Sequence, residues 1–209
     1  RGRDHNHLAS LPPTDRPPLS PLAELHRQLP PPVFSTTGQL QPATVPLLAS
    51  GLSEPSLSLL REAMSPYGIH VIAGGGTAAQ DSSAPRSFEP GSAIAVELVR
   101  GDVSLQSIGT VTAIDGSRVL AFGHPMLNAG ETYFPVATAA ITAFMPSLLS
   151  SFKFGHSLVP TGTLIQDRSA GIIADTSMAA QTIPVTYTIR PLGQPSRTLR
   201  TEMVSHKLW

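Results

Sequence analysis

The 209-residue chain carries 14 basic and 14 acidic residues, so its formal net charge is zero, and only 13 % of its residues are charged. That balance gives no bulk attraction to nucleic acid or to an anionic membrane, and no basic patch interleaved with aromatics occurs. Cysteine is absent, which excludes thiolate nucleophiles, thiolate-held zinc and disulfides.

The length suits one good core, or one domain with a tail. With 21 prolines and 17 glycines, and β-branched residues common after Pro90, the composition favours a mainly β (α+β) fold over a helical bundle. The longest apolar candidate, Phe134 to Leu149, is interrupted by Pro135 and Pro146 and reads as sheet, so no membrane-spanning helix is expected. The first residue is Arg1 and not methionine, as expected of a processed or partial chain whose signal peptide, if any, lies outside it.

Residues 1–32 hold eight prolines. Proline fixes φ and removes a donor, so this stretch predicts an extended, proline-rich arm. His5 and His7 form an H-x-H pair with no third ligand nearby, which reads as a solvated tail and not a metal site. No cofactor is implied anywhere in the chain.

Residues 33–76 predict a strand–helix–strand unit. Its parts are a strand at 45–50, a helix capped by Ser53 with Leu57, Leu59, Leu60 and Met64 at helical spacing, a stop at Pro66 and Gly68, and a strand at 69–73. Such a unit needs a sheet to lie on. Gly74-Gly75-Gly76 is followed by no amphipathic helix and lacks the phosphate-loop pattern, so residues 77–90 read as a linker.

From residue 91 to 209 the period becomes two. Ile94, Val96 and Leu98 alternate as a strand with one buried face, and Arg100-Gly101-Asp102 is a turn. Ser107 to Ile114 and Arg118 to Phe122 flank Asp115-Gly116, a strong hairpin signal. The hairpin delivers His124 to a strand end, where Gly123 permits unusual backbone angles and Pro125 stops the ladder. Asn128-Ala129-Gly130 reads as a loop and residues 136–144 as a strand, with helix as the alternative. The segment 146–154 fits a helical turn or an irregular strand, and Gly155-His156-Ser157 reads as a turn carrying an idle histidine. Strands at 162–166, 171–174, 183–189 and 198–204 complete a barrel or sandwich.

The Gly-Thr-Val-Thr strand, the Asp-Gly turn, the Arg118–Pro125 corner, the Pro146–Lys153 segment and the Gly162–Ile172 block together resemble the SpoIVB-type serine peptidase domain. The resemblance spans residues 90 to 206. It implies a chymotrypsin-like β-barrel or partial barrel, in an exported, periplasmic or secreted bacterial protein. It also implies that His124 is the general base. The family's nucleophile lies in a Gly-Met-Ser-Gly-Ser-Pro type segment, and no such segment occurs before Trp209.

Acyl transfer needs a nucleophile, a base and an orienting carboxylate. The one local nucleophile candidate is Ser169, which lacks flanking glycines. Candidate orienters are Asp102, Asp115 and Asp167. Asp167 and Arg168 face opposite sides of a strand, so each is expected to close a barrel end through hydrogen bonds. Two readings stand. In one, the domain is a non-catalytic binding or assembly module whose proline-rich arm engages a protein partner. In the other, it is a serine endopeptidase acting on protein substrates, with His124 as base and its serine beyond Trp209. Association with a membrane complex stays open in both.

Overall fold

The computed structural model describes residues 46–74, 83–145 and 152–206. The chain divides into residues 1–40 and 41–209, and every described residue belongs to the second part. The proline-rich arm, His5, His7, Gly75 and Gly76, and residues 146–151 therefore lie outside the described residues.

The fold is mainly β, with one α-helix among the described residues. Strand β1 (Pro46–Ser50) leads into helix α1 (Glu54–Met64), a single 3-10 turn (Ser65–Tyr67) and strand β2 (His70–Ala73). Ser53 takes the N-cap position with extended backbone angles, but its hydroxyl meets Ser56 and not a helix N–H. Pro66 in the 3-10 turn and Gly68 at φ +68° end the helix, because the left-handed region carries no Cβ penalty for glycine. β1 and β2 pair in parallel, with Leu47 opposite Val71, as a crossover through a helix allows. Leu57 and Met64 are the buried face of α1.

The remaining strands are β3 (Ala93–Gly101), β4 (Ser104–Asp115), β5 (Arg118–Ala121), β6 (Gly130–Met145), β7 (Phe152–Arg168), β8 (Gly171–Asp175), β9 (Ile183–Ile189) and β10 (Arg197–Met203). All ten strands form one sheet in the order β2-β1-β4-β5-β8-β7-β6-β3-β10-β9, and an additional β3–β4 pairing turns its middle six strands into a ring. β4 is the spine. Its first half carries β1 on one edge and β3 on the other, and its second half carries β5. The strand–helix–strand unit thus finds its sheet by antiparallel pairing of β1 with β4.

One continuous apolar core runs from Leu47, Leu57 and Val71 through Ile94, Val96 and Val111 to Phe134, Leu164 and Ile172. The alternation of Ile94, Val96 and Leu98 is real, yet β3 is not buried on one face alone: Ala95 and Glu97 are buried too. The first half of β7 covers that second face, where the Ser157 N–H donates to Gln106 Oε1.

Two local readings are corrected by the same strand, and an open one is decided for residues 152–154. Phe152 and Phe154 belong to β7, the strand alternative and not the helical turn. Gly155-His156-Ser157 lies inside it and is no turn, and the strand read at 162–166 is only its last part. Strand continuity was hidden because Gly155, Pro160 and Gly162 punctuate the pattern. Each glycine is there for close approach, since a Cβ on Gly155 would meet the Ala140 carbonyl oxygen at 2.1 Å and one on Gly162 the Asp175 carbonyl oxygen at 2.5 Å. The part of the linker that is described, from Ser83 to Pro90, is also more than a tether. Thr138 donates to the Pro85 carbonyl at 2.8 Å, and Phe88 packs on the core.

Candidate functional site

The sheet delivers the Gly-His-Pro corner to the end of β5. β5 is held between β4 and β8, with Ala121 paired to Val111 on one side and to Ile172 on the other. Past Ala121 the ladder stops. The Phe122 N–H still donates to the Thr110 carbonyl, but the Gly123 N–H turns back to Ala121 at 3.0 Å. That bond closes a three-residue γ-turn centred on Phe122, whose φ is +71°. Positive φ in an aromatic residue at a γ-turn is rare and strained, and it persists only where packing over-determines it.

Packing does so here. The Phe122 ring lies over Gly109, so close that a Cβ on that glycine would meet the ring at 2.1 Å. Gly109 is therefore the seat of the ring. The His124 imidazole follows, tilted by 59° against Phe122 with ring centroids 5.6 Å apart.

The other half of the clamp is Asp167, the last buried residue of β7. Its carboxylate accepts the Met126 N–H at 2.8 Å, the Leu127 N–H at 2.7 Å and the Ala129 N–H at 3.1 Å. A single side chain thereby satisfies three donors of the loop 126–129, which has no sheet to pair with. Asp167 is completely buried while Arg168 points outward to Gln166, as their opposite facing requires. Asp167 is thus a backbone clamp and does not orient His124.

His124 is half-buried, and its Nδ1 lies 2.9 Å from the Pro125 carbonyl oxygen. A carbonyl only accepts, so Nδ1 carries the proton and Nε2 is the acceptor nitrogen of the ring. The two other carboxylates are engaged elsewhere. Asp102 accepts the Arg200 N–H at 2.7 Å in the β3–β4 turn, and Asp115 sits in the β4–β5 turn at the far end of β5.

Ser169 is exposed in the two-residue turn between Arg168 and Gly171. This turn lies beside the corner, since the Cβ position of Gly171 lies 3.5 Å from the Gly123 nitrogen. The imidazole nevertheless bonds to Pro125 and not to Ser169. Fold and corner bring His124, Asp167 and Ser169 to one rim without joining them into a relay.

A second polar centre escaped sequence reading. Glu97, Arg100, Ser157 and Glu202 converge from β3, β7 and β10 on a pocket of about 510 Å³. The Arg100 Nε and Nη2 both donate to Glu202 Oε2, at 2.9 and 2.6 Å, and Thr182 donates to the same oxygen at 2.7 Å. Those bonds hold the Glu202 carboxyl below its ordinary range, Thr182 contributing most. Burial pushes Glu97 the other way, only partly offset by its hydrogen bond with Ser157 and the nearby Arg100 charge. The one signal in the sequence was a charge at 97 inside an otherwise apolar strand. Among the described residues no cluster of side chains is suited to holding a metal ion, and no helix is long and apolar enough to cross a membrane.

Comparison of the chain with family models, with curated proteins and with solved structures gives no match.

Proposed function

We propose that this chain is a SpoIVB-type, chymotrypsin-like β domain that serves as a non-catalytic binding or assembly module within an exported protein complex. The observation that supports this reading is the state of His124. Its Nδ1 is committed to Pro125, among the described residues no carboxylate bonds to it, and the serine candidate, Ser169, is an exposed turn residue. A base without a hydrogen-bonded nucleophile performs no acyl transfer.

The binding surface in this reading is β9. It is the last strand of the sheet order, and Ile-Pro-Val-Thr-Tyr-Thr-Ile contains no charge to discourage pairing. Ile183, Tyr187 and Ile189 are exposed along it. A long uncharged edge is a template for strand addition by an extended polypeptide.

A serine endopeptidase is the second reading. It is favoured by one observation: the Nδ1–H tautomer leaves Nε2 as the acceptor a general base needs. In that case the nucleophile comes from a segment outside this sequence. Labelling with a fluorophosphonate serine probe separates the two. The module reading expects no labelled serine in the full-length native protein. A labelled serine that disappears in His124→Ala would establish the peptidase and end the module reading.

A further inference from the structure

The pocket framed by β3, β4, β7, β9 and β10 has four nearly inaccessible polar side chains in its wall: Glu97, Ser104, Gln106 and Thr201, of which Glu97 is 5 % exposed. Buried polar groups are ordinarily all partnered. Gln106 Oε1 accepts the Ser157 N–H, and Ser157 also bonds to Glu97. Glu97 Oε2 stands apart as the buried side-chain oxygen that has no hydrogen-bond partner among the described residues. Its nearest cation is Arg100 Nη1 at 3.8 Å, beyond hydrogen-bond reach. The Nε and Nη2 of Arg100 both go to Glu202 instead.

β3 contributes Glu97 and Arg100 to the pocket lining, β10 contributes Arg200 and Glu202, and β7 contributes His156. Arg100 is hydrogen-bonded to Glu202, which leaves Glu97 Oε2 without a hydrogen-bonded cation among the described residues. Leu158, Pro160, Pro184 and Val185 supply apolar wall beside it.

We propose that this pocket binds a cationic amine or guanidinium group on an aliphatic stem, which donates a hydrogen bond to Glu97 Oε2 while the stem lies along Leu158, Pro184 and Val185. A donor cation supplies the missing partner, and a charge-assisted bond in a sheltered site is the strong kind. The same chemistry has two sources, a free amine such as a diamine or an arginine or lysine side chain presented by a polypeptide. The site lies on a different face of β3 and β4 from the His124 corner and requires no catalytic role for either. Ligand capture favours ionised Glu97, so binding releases a proton when the free pocket is protonated, and affinity rises with pH.

The test is titration of the intact protein with agmatine, putrescine and a Gly-Arg-Gly amide, followed by amide NMR and by calorimetry at several pH values. Saturable shifts at Glu97, Ser157 and Thr201 that tighten as pH rises are expected. Glu97→Gln should weaken binding roughly tenfold to a hundredfold, the range for a hydrogen bond to a charged group. Thr186→Trp, which fills the mouth and leaves Glu97 intact, should abolish it even if Glu97→Gln fails to fold. His156→Gln separates the second titrating group and should leave the pH trend in place. Binding of agmatine assigns the free-amine source, and binding of the peptide alone assigns the polypeptide source. Absence of saturable shifts with all three probes, equal affinity in Glu97→Gln, or preference for acetate at low pH would overturn the proposal.

Discussion

At the scale of single residues, the corner rests on two that compensate for opposite problems. Phe122 accepts a strained φ because Gly109 gives its ring a seat. Asp167 removes the second problem, a loop of unpaired N–H groups, by taking three of them. Asparagine at 167 keeps the shape but has one acceptor oxygen and no charge. Asp167→Asn is therefore expected to cost about 3 kcal/mol, the loss of charge-assisted bonds in a buried site. Urea unfolding would measure it, and amide signals of residues 122–129 should broaden or shift more than those of α1. A stability change below about 0.5 kcal/mol, the level of ordinary surface substitutions, would mean that Asp167 is not the clamp.

At the scale of elements, α1 illustrates how tertiary packing secures a short helix. Eleven residues are too few for independent helicity in water, and the N-cap serine makes no side-chain bond to a helix N–H. What holds it is the burial of Leu57 and Met64 in the core shared with β1 and β2, with Arg61 Nε donating to the Val71 carbonyl at 3.2 Å. The exposed Arg61–Glu54 pair adds little. Leu57→Ala should cost about 3 kcal/mol through lost transfer energy and a residual cavity. Leu59→Ala on the exposed face should be nearly neutral. Equal unfolding midpoints for the two variants would refute this account of the helix.

At the scale of the whole molecule, the pH dependence of stability sets carboxylates held by hydrogen bonds against one raised by burial. Glu202 and Asp175 are held below their ordinary values by hydrogen bonds, from Thr182 and Arg100 in the first and chiefly from Ser177 in the second. Their contribution is present above about pH 4.5 and is lost as pH falls through their lowered folded values. Glu97 has the opposite sign. Its folded value is raised from 4.5, so the folded state binds the proton more tightly, and stability is lost as pH rises from that value through the folded one. Glu97→Gln removes this loss. Its denaturation midpoint relative to the parent should therefore climb between pH 4.5 and neutrality and stay level below that range. A constant difference across the series would show that Glu97 titrates alike in the folded and unfolded states and that burial does not raise it.

Local chemistry determined much of this protein in advance. Ser53, Pro55, Pro66 and Gly68 bracketed α1 because caps and helix breakers act within a few residues. Asp115-Gly116 marked the β4–β5 hairpin, but one residue early: Asp115 ends β4 opposite Arg118, the turn residues are Gly116 and Ser117, and positive φ falls on Gly116 alone. Gly-His-Pro ended β5 by local backbone angles as well. The facing of Asp167 and Arg168 followed from the period of a strand. Tertiary structure decided what depends on distant partners. It burned through the apparent breaks in β7, because Gly155 and Gly162 are seats for neighbouring carbonyls and not turns. Among the described residues it gave His124 a bond to the Pro125 carbonyl and committed Asp167 to the N–H groups of the loop 126–129. And it buried Glu97 under β7 and set Arg100 against Glu202, 102 positions away, a relation that no local pattern carries because it comes from the pairing of β10 with β3.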